Sequence, residues 1–146
     1  MFAAHPHGVI PLGICLHIGT NATDIDKIFP HIQFRGVAVS ACYIIPFYRD
    51  FCLALGGTDC RNSTIRSVLR HGCSPVVVPG GAKESLLTRN RGNTILVRHK
   101  GFIRIAIQEG ISIVPMYSFG ENYTWDIPEG SQPNAILNSI MKKVKK

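Results

Sequence analysis

The sequence predicts an α/β fold, a mostly parallel central sheet flanked by helices, and three observations carry that reading. Short apolar runs of strand length, at residues 2–4, 76–78 and 111–116, alternate with stretches of helical length. The strand, helix, strand spacing across residues 76–116 is that of a crossover unit, which joins parallel neighbours. With 146 residues, 45% hydrophobic and 17% charged, and a mean hydropathy of +0.13, the chain can build one core but not two. A single domain over residues 1–146 is expected.

Taken in order, Phe2, Ala3 and Ala4 suit a buried strand that breaks at His5-Pro6-His7-Gly8. Pro6 keeps His5 extended by excluding the α region before it, and Gly8 lets the backbone turn sharply. Residues 10–18 are apolar enough for a buried helix, and a polar turn follows at 20–23. Residues 24–29 make a short helix that ends before Pro30, and 36–40 a short β-rich run. Residues 45–55 predict a helix entered through Pro46, which a first turn tolerates. After the Gly56-Gly57 turn, Ser63 or Thr64 caps a helix running to Arg70 and stopped by Gly72. Residues 76–78 then read as a fully buried strand.

The polar, basic stretch 88–93 has the composition of a loop near a site. Residues 100–109 place Phe102, Ile103, Ile105, Ala106 and Ile107 around a helix, with Gly110 as its C-cap. Residues 111–116 form another buried strand. Beyond Trp125 the chain is turn-rich, then closes with a helix from about residue 134 that carries Lys142, Lys143, Lys145 and Lys146.

The formal charge of +7 suits an anionic partner: phosphates, acidic lipid head groups or nucleic acid. Nucleic acid is disfavoured, because no helix carries evenly spaced arginines and no aromatic-basic platform is present. Five cysteines, an odd number without a C-x-x-C pair, argue against a disulfide framework or zinc knuckle and for reduced thiols. Three glycosylation sequons, at Asn21, Asn62 and Asn122, carry little weight without a signal peptide. No run reaches the roughly 18 apolar residues of a membrane span.

Histidine is the side chain whose proton moves most easily near neutral pH, so a histidine at a strand-ending turn is a candidate base. The i, i+2 spacing of His5 and His7 also occurs in metal hydrolases, but further ligands are then required. His17, His31, His71 and His99 all fall in apparent helix or loop, so no metal is expected. Pro79-Gly80-Gly81 follows a buried strand, where uncrowded backbone amides bind an anion or a developing oxyanion, or simply make a tight turn. Lys83 does not complete a phosphate-binding loop: Ala82 and Glu84 stand where that pattern requires glycine and a hydroxyl. Glu84 has two readings, a first-turn carboxylate facing a helix dipole or the acid that orients a histidine.

Together these blocks resemble the diacylglycerol O-acyltransferase type 2 family, which includes monoacylglycerol acyltransferases and wax-ester synthases. The resemblance covers His5-Pro6-His7-Gly8, Pro79-Gly80-Gly81-Ala82-Lys83-Glu84-Ser85, Arg98-His99-Lys100-Gly101-Phe102 and Val114-Pro115-Met116-Tyr117-Ser118-Phe119-Gly120-Glu121-Asn122. It implies a glycerolipid-acyltransferase-like core that moves a fatty acyl group from acyl-CoA to the hydroxyl of a diacylglycerol or monoacylglycerol. Acyl-CoA is a co-substrate and no cofactor is expected. The implied setting is the cytosolic face of the endoplasmic reticulum membrane or a lipid droplet. Family members run on at both ends, with a hydrophobic hairpin before the first block and more chain after the last. The alternative is thus a non-catalytic, truncated relative that binds lipid or acyl-CoA.

Distant glycerolipid acyltransferases carry a His-x4-Asp motif. Here the corresponding positions after His5 and His7 are Ile10 and Leu12, so the orienting acid must come from elsewhere, and Glu84 is the candidate. In the expected mechanism His7 takes the acceptor proton, His5 supports it, and the Gly80 and Gly81 amides steady the oxyanion. The CoA thiolate, with a pKa near 8.5, leaves without an acid. Ser85 or Cys60 as nucleophile lacks an evident activating partner. Lys83, Arg98 and Lys100, with Arg89 and Arg91, are the basic residues expected to hold CoA phosphates. Glu121 and Asn122, just after a strand, receive no role.

Overall fold

The computed structural model describes residues 1–87, 95–97 and 99–125. The basic stretch 88–93, Arg98 and the helix expected from about residue 134 lie outside the described residues. Five strands form one sheet: β1 (Phe2–His5), β2 (Phe34–Ala38), β3 (Thr58–Asp59), β4 (Ser74–Val77) and β5 (Val114–Tyr117), in the order β3-β2-β4-β1-β5. Among the described residues every pairing is parallel, so the expected α/β class holds and the sheet they form is wholly rather than mostly parallel. The helices are α1 (Leu12–Gly19), α2 (Ile25–Ile28), α3 (Tyr48–Ala54), α4 (Asn62–Arg70), α5 (Gly81–Leu87) and α6 (Gly101–Glu109).

Period-2 alternation along β1 divides the core. Phe2 and Ala4 pack with Ile14 of α1 and Val76, against Ile18, Phe29, Phe34 and Met116. Met1 and Ala3 pack with Val77, Ile65 of α4 and Ile105 of α6. Phe2 meets Phe34 and Phe29 edge to face, with ring centroids 5.1 and 5.6 Å apart, a favoured aromatic geometry. On the other face, Arg66 of α4 bridges to Glu109 and Gln108 of α6. β1 is thereby fixed on both faces and both edges.

Some elements depart from expectation. Thr58–Asp59 pairs with Val37 and Ala38 as a two-residue strand, too short to leave a periodic signal. Among the described residues the strand at Val114–Tyr117 is an edge and not a buried one: it pairs there with β1 alone, and Val114 and Pro115 are exposed. An edge is where a proline is tolerated in a sheet. The helix expected to enter through Pro46 starts at Tyr48, because Phe47 adopts φ 64° and interrupts the chain between them. Helix α4 begins at Asn62, one residue before the expected caps, where Asp59 Oδ1 accepts the Arg61 N–H at 2.9 Å. Gly110 does end α6 in the left-handed region, φ 65°.

Candidate active site

In a parallel sheet all strand C-termini lie on one edge. β4 and β1 are neighbours, with Ala3 opposite Val77, so the His5-Pro6-His7-Gly8 turn and the Pro79-Gly80-Gly81 turn leave the sheet side by side. The His5–Pro6 peptide is cis. α5 begins at Gly81 and presents Glu84 in its first turn.

Glu84 is 1% exposed and gathers donors from three residues. Its Oε1 accepts the His7 backbone N–H at 2.5 Å, and its Oε2 accepts the Leu96 N–H at 2.6 Å. The His5 Nδ1 lies 3.1 Å from Oε2 and 3.3 Å from Oε1. A carboxylate only accepts, so Nδ1 is the protonated nitrogen of His5. A buried carboxylate needs such donors, since an unpaired charge in the interior is strongly disfavoured. Gly80 makes the arrangement possible: a Cβ there would lie 2.1 Å from Glu84 Oε2.

The sequence expectation gave Glu84 as the acid that orients a histidine, with His7 as the base. The structure links it to the His5 ring and to the His7 backbone. The reason is the proline: it places His7 beyond the end of β1, while His5 remains on the strand beside β4. The His7 ring instead donates Nδ1–H to the Gly8 carbonyl at 3.0 Å, which leaves Nε2 bare in the neutral ring.

The other expected site residues scatter. The Gly81 N–H donates to Val78 O at 3.1 Å and is engaged within its own turn. Gly80 N–H makes no hydrogen bond among the described residues. Lys83 and Lys100 are exposed, and Arg98 lies outside the described residues. Ser85 Oγ donates to Ala82 O at 2.9 Å, inside its own helix, and Cys60 is exposed. Burial, with a smaller contribution from the nearby Glu121 charge, pushes the Cys15 thiol up to about 11. Cys42 and Cys52 are raised as well, chiefly by burial, so none of these three is a thiolate at neutral pH. Among the described residues no cluster of three or more His, Cys, Asp or Glu is arranged to hold a metal ion.

A second buried acid emerged that the sequence left without a role. Glu121 is 1% exposed and Asn122 5%. Glu121 Oε1 accepts the Gly13 N–H at 3.1 Å and Oε2 accepts the Ser118 hydroxyl at 2.8 Å. A Cβ on Gly8 would come within 3.0 Å of the Glu121 carbonyl oxygen. Its sequence signals were its place just after a strand, behind the turn glycine Gly120 at φ 85°, and its presence in the fourth resemblance block.

Fold and site together define an α/β domain with a carboxylate-held His-Pro-His turn at the C-terminal edge of its sheet. The family model for diacylglycerol acyltransferase matches residues 1–146, and the chain belongs to that family. It is 37% identical to diacylglycerol O-acyltransferase 2 of Dictyostelium discoideum, over 99% of this chain and 44% of that protein. It is likewise 37% identical to diacylglycerol O-acyltransferase 2A of Umbelopsis ramanniana and 36% identical to diacylglycerol O-acyltransferase 2 of Xenopus laevis. Each alignment covers 99% of this chain, with 41% and 42% of the respective relatives. The chain thus spans less than half the length of these relatives. No solved structure matches it.

Proposed function

We propose that this chain carries the catalytic core of an acyl-CoA-dependent O-acyltransferase whose acceptor is the hydroxyl of a glycerolipid. The observation that carries the reading is the buried Glu84 carboxylate, which accepts from the His5 ring and the His7 amide in a member of this family. His7 is the general base. Its Nδ1–H is fixed on the Gly8 carbonyl, so Nε2 takes the proton of the acceptor hydroxyl as that oxygen attacks the thioester carbon. Glu84 and His5 are positioning residues that hold the turn. The Gly80 amide is the oxyanion donor, a role worth about 3 kcal/mol in the transition state. The tetrahedral intermediate collapses with departure of the CoA thiolate, and no acyl-enzyme forms.

Exposed cations, Lys83 and Lys100 among them, suit the phosphates of CoA. The lipid setting is supported by exposed apolar side chains on the connections that leave the strands. Segments following β1, β2 and β5 carry exposed apolar side chains, including Ile10, Ile44, Phe47 (86% exposed) and Phe119 (91% exposed). Such a concentration of exposed apolar surface marks an interaction face, here that of an endoplasmic reticulum membrane or lipid droplet on its cytosolic side. No helix among the described residues is long and apolar enough to cross a bilayer.

One observation favours a second assignment within the same reaction: the His5 ring, not the His7 ring, is the one backed by a carboxylate. Transfer of radiolabelled oleate from oleoyl-CoA to diacylglycerol, by microsomes expressing the chain or its variants at equal level, separates the two. His7→Ala is expected to lower turnover about 10²- to 10⁴-fold, the usual worth of a general base, and His5→Ala less. The reverse order would make His5 the base. No transfer by the unaltered chain would contradict the assignment.

A further inference from the structure

A cavity of about 250 Å³ opens between the first turns of α1 and the C-terminal end of β5. Ile14, Met116 and Tyr117 give it apolar walls, and His17, Thr23 and Ser118 give it polar ones. Gly13 completes the lining, and two of the lining groups, the Gly13 amide and the Ser118 hydroxyl, are held in place by the buried carboxylate of Glu121. The cavity borders the proposed catalytic turn. The Ser118 N–H donates to the His5 carbonyl at 2.7 Å, and Glu121 backbone lies against Gly8, the residue after His7.

The Ser118 hydroxyl donates its hydrogen to Glu121 Oε2 at 2.8 Å, and the Thr23 hydroxyl donates its hydrogen to the His17 carbonyl at 3.4 Å. Both oxygens keep lone pairs to accept with, and the His17 ring carries an N–H in either tautomer, so the lining suits a polyol that both donates and accepts. Size narrows the class further. At about 30 Å³ per water-sized unit, 250 Å³ holds about eight non-hydrogen atoms. That is the size of a glyceryl group with the start of one ester.

From this we infer that the α1–β5 cavity is the acceptor subsite, binding the hydroxyl-bearing glyceryl head of a monoacylglycerol or diacylglycerol. Glu121 is the positioning residue that shapes the subsite, while the apolar edge outside it receives the chains. The inference rests on the acyltransferase reading for the identity of the alcohol, but its binding step is measurable without transfer.

The test is amide chemical-shift titration of the ¹⁵N-labelled chain with 1-monooctanoylglycerol below its micellar concentration, beside 1-octanol, which has an eight-carbon tail and no polyol. Saturable shifts at Gly13, Thr23 and Ser118 are expected with the glyceride, at least tenfold weaker with octanol. Thr23 is exposed at the rim, so Thr23→Trp fills the cavity without entering the core and is expected to weaken glyceride binding at least tenfold. Equal response to octanol, shifts confined to other residues, or indifference to Thr23→Trp would each overturn the subsite. Glyceride shifts at these three amides in a chain without transfer activity would instead sink the catalytic reading and leave the subsite standing. Transfer without those shifts would do the opposite.

Discussion

Glu84 and Glu121 are each 1% exposed, and each stands just beyond a strand that neighbours β1, yet they serve different donors. Glu84 accepts from a histidine ring and from the amide of a second histidine. Glu121 accepts from a glycine amide and a serine hydroxyl. Burial alone therefore does not mark a group as part of the chemistry. What separates the two is the partner: a proton-moving ring on one side, fixed backbone and hydroxyl on the other. In the proposed mechanism Glu84 acts on the reacting turn and Glu121 on the wall beside it.

The two glycines that make room for these acids sharpen the contrast. A Cβ on Gly80 would lie 2.1 Å from Glu84 Oε2, and a Cβ on Gly13 would lie 2.6 Å from Glu121 Oε2. Gly80→Ala is expected to displace the Glu84 carboxylate and lower kcat by about 10²-fold or more, since loss of an orienting acid misplaces the base. Gly13→Ala is expected to raise KM for the glyceride more than it lowers kcat. Steady-state kinetics on both variants checks this, and equal kcat losses would break the distinction.

A smaller effect follows from Ser118. Removing its hydroxyl takes a charge-assisted donor from a buried carboxylate, worth about 1.5–3 kcal/mol. Urea denaturation of Ser118→Ala is expected to show a loss of that size, and no loss would mean that Glu121 is held by its other partners.

The smallest effect is at alkaline pH. Burial and the Glu121 charge raise the folded-state pKa of Cys15, so folding favours its protonated form. That contribution is complete below the ordinary thiol value of 9.0 and is lost as pH rises toward about 11. Burial raises Tyr48 to about 12 and Tyr43 as well, which extends the decline. Cys15→Ala is expected to flatten the fall in stability between pH 9 and 11, measured by denaturation at fixed urea. An unchanged slope would remove Cys15 from the account.

Much of the fold was legible because its signals are local. Phe2, Ala3 and Ala4 before a proline turn, the apolar run at 76–78 and the Gly110 stop after an amphipathic stretch each show in a short window. The histidines and Glu84 were legible as residue types at turns. Their pairing was not, because it depends on β4 lying next to β1, a neighbour relation that no window contains. The edge position of β5 was hidden for the same reason. Glu121 escaped because one of its partners is a backbone amide, which has no residue signature, and the other is a hydroxyl three residues away. The Gly81 amide was expected to face an oxyanion and instead closes a turn onto Val78, a choice made by backbone geometry alone.

The most direct test sets the two acids side by side in one assay, oleoyl transfer from oleoyl-CoA by microsomes expressing Glu84→Gln or Glu121→Gln at matched protein level. Glu84→Gln is expected to lower kcat by about 10²- to 10⁴-fold, with Glu121→Gln at least tenfold milder in kcat and its larger effect on the glyceride KM. Equal losses in kcat, or a greater loss in Glu121→Gln, would contradict the claim that the Glu84 carboxylate, and not that of Glu121, holds the reacting turn.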